Sequence, residues 1–145
     1  MNHTDLVMDK TYGLSEIGAI AEELAGLCKD KAVLAFVGSL GAGKTTLIQA
    51  LLRLWGVKGP IQSPTFSYVN SYRLPVGAVH HFDLYRLSSA AEFVEAGFHE
   101  YLYRPGSISL IEWPEIILPL LAAGACHVQL DYVDRETRSI RVWRD

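Results

Sequence analysis

The chain has 145 residues, of which 50% are hydrophobic and 20% charged, and its formal net charge is −3. This composition is typical of a folded globular domain rather than a disordered chain, and the length suits one domain over residues 1–145. No apolar run is long enough to cross a bilayer, and residues 1–10 lack the apolar core of a secretory signal, so a cytoplasmic protein is expected. The negative net charge argues against a broad basic face, so any role with nucleic acid is expected to be indirect.

The first predicted elements are a helix and a buried strand. Ser15 is placed as an N-cap, and the apolar residues after it recur at helical spacing. These residues are Ile17, Ile20, Leu24 and Leu27. Residues 32–37 form a continuous apolar run, as expected of a strand buried on both faces. A Gly-rich loop follows, and then a second helix over residues 45–55, which the glycines and proline of residues 56–60 end.

Strands and helices continue to alternate in the rest of the chain. The further predicted strands are residues 66–72, 78–83 and 107–112. A helical stretch at residues 90–103 and a short one after Pro114 separate them. The end of the sequence predicts a β-hairpin that pairs residues 127–133 with residues 138–143. The pattern indicates a three-layer α/β fold, whose central sheet the hairpin makes mixed rather than purely parallel.

The two cysteines, Cys28 and Cys126, are far apart in the sequence and match no metal-binding or redox spacing. Two thiols cannot make the disulfide framework of a small secreted domain. Both are therefore expected to be free, buried thiols in a reducing compartment.

The strongest functional signal is a complete Walker A pattern directly after the first strand. Its residues are Gly38, Ser39, Leu40, Gly41, Ala42, Gly43, Lys44 and Thr45, with Thr46 next in the helix. The glycines allow backbone N–H groups to point inward at phosphate oxygens, and the helix that begins near Lys44 aims its positive end at the same anion. Lys44 is expected to reach the phosphates, and the Thr45 hydroxyl to ligate Mg²⁺. The pattern predicts binding of a nucleoside triphosphate.

The sequence indicates less directly which nucleotide base is bound and which reaction the site catalyses. The sequence contains no Asn-Lys-x-Asp motif of the kind that reads guanine, so ATP is favoured over GTP. The arginines are scattered and do not form the cluster expected of a kinase lid, which favours hydrolysis over transfer to a metabolite. A small-molecule kinase and a non-catalytic, ATP-gated binding module remain alternatives.

Two predicted strands end in a carboxylate, Asp83 and Glu112. In a P-loop sheet this edge faces the metal and the γ-phosphate, so both are candidates to hold Mg²⁺ or to orient the attacking water. The division of these roles between the two does not follow from the sequence. Thr65, after Pro64, is placed where a γ-phosphate sensor would lie, although an ordinary turn entering a strand explains it equally well.

Four motifs together resemble the TsaE family, also known as YjeE. They are Gly41 to Leu47 (GAGKTTL), Ser63 to Phe66 (SPTF), His81 to Leu87 (HFDLYRL) and Leu110 to Pro114 (LIEWP). Their order and spacing match the family, and the similarity extends from the first helix to the final hairpin.

The resemblance implies an ATPase required for threonylcarbamoyladenosine formation at position 37 of tRNAs that read ANN codons. It implies that the protein is not the transferase but binds the TsaB–TsaD pair and meets tRNA through that complex. By motif, Lys44 and Thr45 hold phosphate and Mg²⁺, Asp83 and Glu112 serve the metal or the water, and Thr65 is a switch residue. Trp113 would lie beside the nucleotide.

Other residues of these motifs have simpler explanations. Arg86 follows Asp83 by three positions and could form only a structural ion pair with it, or could face the partner. Tyr85 and Trp113 could be ordinary core or rim aromatics, and His81 with Asp83 is usually a structural pair. Ser39 departs from the acidic residue usual in the family, which puts in doubt a metal or partner contact but not phosphate binding.

Overall fold

The computed structural model describes residues 5–64, 66–122 and 124–145. Within them the strands are β1 Asp5–Gly13, β2 Val33–Val37, β3 Val69–Leu74, β4 Gly77–Asp83, β5 Ser107–Glu112, β6 Cys126–Asp134 and β7 Thr137–Arg144. The α-helices are α1 Ile17–Leu27, α2 Lys44–Leu54 and α3 Ala90–Glu95. Short 3-10 segments cover Leu14–Glu16, Phe98–Tyr101 and Pro114–Leu120.

The strands form one sheet in the order β1-β7-β6-β2-β5-β4-β3. Its centre, β6-β2-β5-β4, is parallel, whereas β7 and β1 on one side and β3 on the other add antiparallel. The predicted three-layer α/β fold with a mixed, mostly parallel sheet is confirmed. The parallel arrangement brings the carboxyl ends of β2, β4 and β5 to one edge, where the loop between β2 and α2 begins.

Successive side chains of β2 enter two different cores, because strand residues alternate between the faces of a sheet. Leu34 and Phe36 pack with α1 and α2 on one face, and Val33 packs with Phe93 of α3 on the other. All four side chains are at most 1% exposed. Each contributes about 1.5–3 kcal/mol through removal from water, so the strand that carries the Gly-rich loop is fixed from both sides.

The predictions with strong local signals hold. The hairpin is present as β6 and β7, and α2 begins one residue earlier than predicted, at Lys44. β1 was not predicted from the sequence. Only two of its side chains, Met8 and Tyr12, are buried, and the rest are mainly polar and exposed, so no alternating pattern is visible. β1 is stabilised by pairing with β7.

Three boundary predictions are wrong. Ser15 does not cap α1, which starts at Ile17 after a 3-10 turn in which the Glu16 carboxylate accepts the Gly13 N–H at 2.8 Å. The helix over residues 90–103 breaks at Gly97, whose φ of 81° lies in the left-handed region and ends α3. The strand predicted over residues 66–72 starts later, at Val69.

The expectation of free cysteines is also wrong. Cys28 and Cys126 are buried as expected, but they form a disulfide with a Cα–Cα distance of 6.3 Å. Cys28 follows the end of α1, and Cys126 opens β6 beside Leu34 of β2. The pairing was hidden in the sequence because 98 positions separate the two residues. In the part of the chain that the structure covers, no helix has both the length and the apolar character needed to cross a membrane.

Candidate functional site

The loop between β2 and α2 depends on its glycines. A Cβ at Gly38 would collide with the carbonyl oxygen of Leu130 in β6. Gly43 caps α2 with a φ of 97°, a conformation that other residues rarely adopt. Because the first N–H groups of α2 have no partner within the helix, they point into the loop and make it a cradle for an anion.

Lys44, the first residue of α2, is only 5% exposed. Its Nζ donates to the Gly38 carbonyl oxygen and lies 3.2 Å from the centroid of the Trp113 ring. Burial lowers the pKa of Lys44, and the negative charges of Glu112, Glu115 and Asp83 partly oppose this shift. The carbonyl and the aromatic face thus stabilise a cation that has little water around it.

Glu112, at the end of β5, lies against the loop because β5 pairs in parallel with β2, with Phe36 opposite Glu112. Its carboxylate is buried, with the residue 2% exposed, and both oxygens are hydrogen-bonded. Thr45 Oγ1 donates to Oε1 at 2.6 Å, and His81 Nε2 donates to Oε2 at 2.7 Å. The side chain is therefore held in one orientation between the P-loop helix and β4.

Asp83 ends β4 directly opposite Glu112 in the parallel register. Its Oδ2 accepts from Ser63 Oγ at 3.1 Å, and its Oδ1 accepts from the Tyr85 N–H at 3.1 Å. Unlike Glu112 it is partly exposed. The two carboxylates stand side by side at the edge of the sheet, as the strand-end positions in the sequence predicted.

The role of His81 was not recognised from the sequence. It is fully buried on β4, and its neighbour across the strands is Leu110, two positions before Glu112. His81 can reach Glu112 because diagonal neighbours on adjacent strands share a face. The period-two spacing between His81 and Asp83 was the available signal, but it did not reveal which carboxylate the imidazole meets.

Two aromatic side chains cover this side of the loop. Trp113 follows β5 directly and has a left-handed backbone, with a φ of 57°. Its ring centroid lies 5.0 Å from that of Tyr85, which is exposed. Arg86 lies 5.0 Å over the Phe66 ring and, among the residues described, forms no ion pair with Asp83. The simple ion-pair explanation for Arg86 is thus not supported.

These elements enclose a cleft of about 540 Å³. The predicted site residues in its wall are Leu40, Gly41, Ala42, Gly43, Lys44, Thr45, Thr46, Asp83, Glu112 and Trp113. Tyr85, Arg86 and Arg138 complete the wall, and Arg138 was not predicted. Ser39 is exposed and is not part of the wall, and Thr65 lies outside the described residues.

The oxygen donors at one edge of the cleft fit a magnesium nucleotide. No cluster of three or more His, Cys, Asp or Glu side chains able to bind a metal occurs over residues 5–64, 66–122 and 124–145. Thr45, Asp83 and Glu112 offer one hydroxyl and two carboxylates at one edge of the cleft. Mg²⁺ commonly binds one or two such oxygens and takes its remaining ligands from water and substrate phosphates.

Comparison with known proteins identifies a family. Residues 12–140 match the family model described as threonylcarbamoyl adenosine biosynthesis protein TsaE. The tRNA threonylcarbamoyladenosine biosynthesis protein TsaE of Haemophilus influenzae is 38% identical over 123 residues, which cover 84% of this chain and 77% of that protein. The protein of the same name from Aquifex aeolicus is 35% identical over 131 residues, which cover 86% of each chain.

A solved structure is also similar. The crystal structure of Bacillus subtilis YdiB superposes with a TM-score of 0.70 at 26% sequence identity. The superposition covers 94% of this chain and 86% of that one. The similarity thus extends over nearly the whole sheet and its helices.

Proposed function

Because the chain belongs to the TsaE family of tRNA threonylcarbamoyladenosine biosynthesis proteins, we propose that it is a Mg²⁺-dependent P-loop ATPase. In this proposal residues 1–145 act as one ATPase domain that supports the modification of tRNAs reading ANN codons. The observation that carries the proposal is the hydrogen bond of 2.6 Å between Thr45 and the buried Glu112, in the cleft that also contains Lys44. A cation and a hydroxyl at the start of a helix, with a strand-end carboxylate against the hydroxyl, are groups that bind and hydrolyse a magnesium nucleotide.

The residues from Ser39 to Thr46 bind the phosphates in this proposal, mainly through backbone N–H groups. Lys44 exchanges its contact with the neutral Gly38 carbonyl for phosphate oxygens, whose negative charge makes a stronger hydrogen bond to the buried ammonium group. Trp113, stacked over Lys44, covers the phosphate end of the cleft and limits the entry of water.

A bound Mg²⁺ would supply positive charge to neutralise the charge that develops on the phosphates during hydrolysis. Thr45 would hold the metal, and Glu112 would support it by fixing the Thr45 hydroxyl through their hydrogen bond. His81 is a positioning residue that keeps the Glu112 carboxylate turned toward Thr45. We assign the orientation of water beside the γ-phosphate to Asp83, the more exposed carboxylate, and the role of switch residue to Thr65.

The proposed partners are the TsaB–TsaD pair, through which the protein meets tRNA indirectly, in the cytoplasm. The net charge of −3 supports an indirect role, since a direct RNA-binding surface is usually basic. If a partner completes the site, hydrolysis by the protein alone is expected to be slow.

The decisive experiment measures ATP hydrolysis by the purified protein alone, with the TsaB–TsaD pair, and with the pair plus tRNA. The proposal predicts Mg²⁺-dependent hydrolysis that the pair increases. Transfer of labelled phosphate from ATP to a metabolite would instead identify a kinase. Unimpaired tRNA modification by a variant that binds ATP but does not hydrolyse it would identify an ATP-gated binding module.

A further inference from the structure

Arg138 lies in the wall of the cleft on the side away from the two carboxylates. It is the second residue of β7, whereas Glu112 and Asp83 end β5 and β4. In the sheet, β6 and β7 flank one side of β2 and β5 and β4 the other. Three strand spacings separate β7 from β5, about 14 Å at the usual distance between strands. The cleft therefore has a carboxylate side and a hairpin side, with the Gly-rich loop between them.

The side chain of Arg138 reaches the loop itself. A Cβ placed on Gly43 would lie 3.7 Å from its Nε and 3.8 Å from its Cγ, so the arginine stem passes directly over the residue that caps α2. Its guanidinium carbon lies 4.7 Å from the centroid of the Tyr132 ring. Nη1 donates to the carbonyl oxygens of Asp134 at 2.7 Å and Thr137 at 3.0 Å. The guanidinium group is thus fixed in position.

Fixing the group does not use all of its donors. Arg138 Nε is buried and has no hydrogen-bond acceptor among the described residues. None of the ion pairs within that part of the chain involves Arg138 either. A buried N–H donor on a charged group normally has a partner, since leaving it unpaired costs free energy. The geometry therefore calls for an acceptor that the described chain does not supply.

A nucleotide in the cleft would supply that acceptor. If Lys44, Thr45 and the carboxylate side hold the terminal phosphates, the rest of the nucleotide extends over Gly43 toward the hairpin side. We propose that Arg138 binds the α-phosphate, the phosphate nearest the ribose, through the donors that its own chain leaves free. This inference rests on the proposed nucleotide site and adds the residue that recognises the nucleoside-proximal part of the ligand.

The test compares two ligands in the presence of Mg²⁺: ADP, which has an α-phosphate joined to ribose, and inorganic pyrophosphate, which lacks the nucleoside. Arg138→Gln is expected to weaken ADP binding roughly tenfold, because one charge-assisted contact is lost, while pyrophosphate binding stays within about twofold of the original protein. Arg138→Lys keeps the charge and should lose less ADP affinity than Arg138→Gln. Titration calorimetry measures all of these affinities.

Arg141→Gln is the matched control. Arg141 lies three positions further along β7, so its exposed side chain projects from the opposite face of the sheet. The Arg141→Gln variant should bind ADP and pyrophosphate with the same affinities as the original protein. Retained pyrophosphate binding by Arg138→Gln would show that the Gly-rich loop of this variant is folded. If Arg138→Gln does not fold, Arg138→Met is used instead.

Three results would overturn the inference while leaving the proposed ATPase intact. The first is unchanged ADP affinity in Arg138→Gln. The second is an equal loss of ADP and pyrophosphate affinity, which would place Arg138 at the terminal phosphates. The third is a loss in Arg138→Lys as large as in Arg138→Gln, which would show that the positive charge at this position does not contribute to ADP binding. Failure of the original protein to bind ADP at all would reject the nucleotide site itself.

Discussion

The carboxylate side and the hairpin side of the cleft differ in how completely their polar groups are hydrogen-bonded. All four side-chain oxygens of Asp83 and Glu112 accept a hydrogen bond from the protein. On the hairpin side, Arg138 is held by two carbonyls and one ring, but its buried Nε–H finds no acceptor in the part of the chain that the structure describes. The first arrangement fixes side chains before a ligand arrives, as catalysis requires, whereas the second leaves binding capacity for the ligand.

Lys44 lies between the two sides, and its loss has the largest expected effect. Lys44→Ala should lower ATP affinity roughly a hundredfold or more, because the phosphates lose a buried counter-charge. Calorimetric titration with Mg·ATP measures the change. Lys58→Ala, an exposed lysine beyond α2, should bind ATP within about twofold of the original protein. If Lys44→Ala binds ATP normally, the phosphates do not occupy this loop and the division into two sides has no functional meaning.

Glu112→Gln separates catalysis from binding on the carboxylate side. The amide keeps the volume and one acceptor for Thr45 but removes the charge, so turnover should fall roughly a hundredfold while ATP affinity changes little. The assay is steady-state hydrolysis with the TsaB–TsaD pair, accompanied by a binding titration. Glu95→Gln, at the exposed end of α3, serves as the control. Normal turnover by Glu112→Gln would show that hydrolysis does not need the negative charge of Glu112 on the metal side of the site.

The disulfide tests how the hairpin side is anchored. Reducing Cys28–Cys126 should lower the free energy of unfolding by about 2–4 kcal/mol, chiefly by freeing a long loop in the unfolded chain. Urea denaturation with and without dithiothreitol measures the change. ADP affinity should not change, because Cys126 opens β6 at the end of the strand remote from the loop. A double Cys→Ser variant should match the reduced protein, and no response to reductant would mean that the thiols are free in solution.

The smallest expected effect is on the pH dependence of stability, and it comes from His80, which lies in the core behind the carboxylate side. Burial, with a smaller contribution from Arg104, lowers its pKa below the ordinary value of 6.5. The unfolded chain therefore binds a proton that the folded protein refuses, and stability falls as the pH drops through about 6.5 toward the lowered pKa, by at most about 1.4 kcal/mol per pH unit. Urea midpoints between pH 5 and pH 8 measure this slope.

His80→Phe should remove that part of the slope while keeping a ring beside Tyr101, whose centroid lies 4.7 Å from that of His80. His99→Gln, at an exposed position, should leave the slope unchanged. If the dependence of stability on pH is the same in His80→Phe, other groups cause the acid sensitivity. Protonation of His80 would then not destabilise the core behind the carboxylate side.

The features that the sequence predicted well are those with local causes. The Walker A glycines, the helix after them and the strand-end positions of Asp83 and Glu112 each follow from a few adjacent residues. The hairpin was predictable for the same reason, since a short turn separates two alternating runs.

The features that the sequence did not predict depend on contacts between distant segments. The strand β1 is held by β7 rather than by its own pattern, and Cys28 meets Cys126 only after β6 is placed beside β2. His81 reaches Glu112 through the register of two paired strands, and Arg138 reaches Gly43 across the intervening strand β6. A single sequence encodes these contacts only through the complete fold.

The pairing of β1 with β7 also affects when the protein can fold during synthesis. β1 leaves the ribosome early, but its only neighbour in the described sheet is made more than a hundred positions later, roughly ten seconds at usual rates of translation. The Gly-rich loop and α2 are complete long before β7 brings Arg138 to them. The phosphate-binding residues are therefore synthesised before Arg138, and nucleotide affinity should reach its full value only when the last strand joins the sheet.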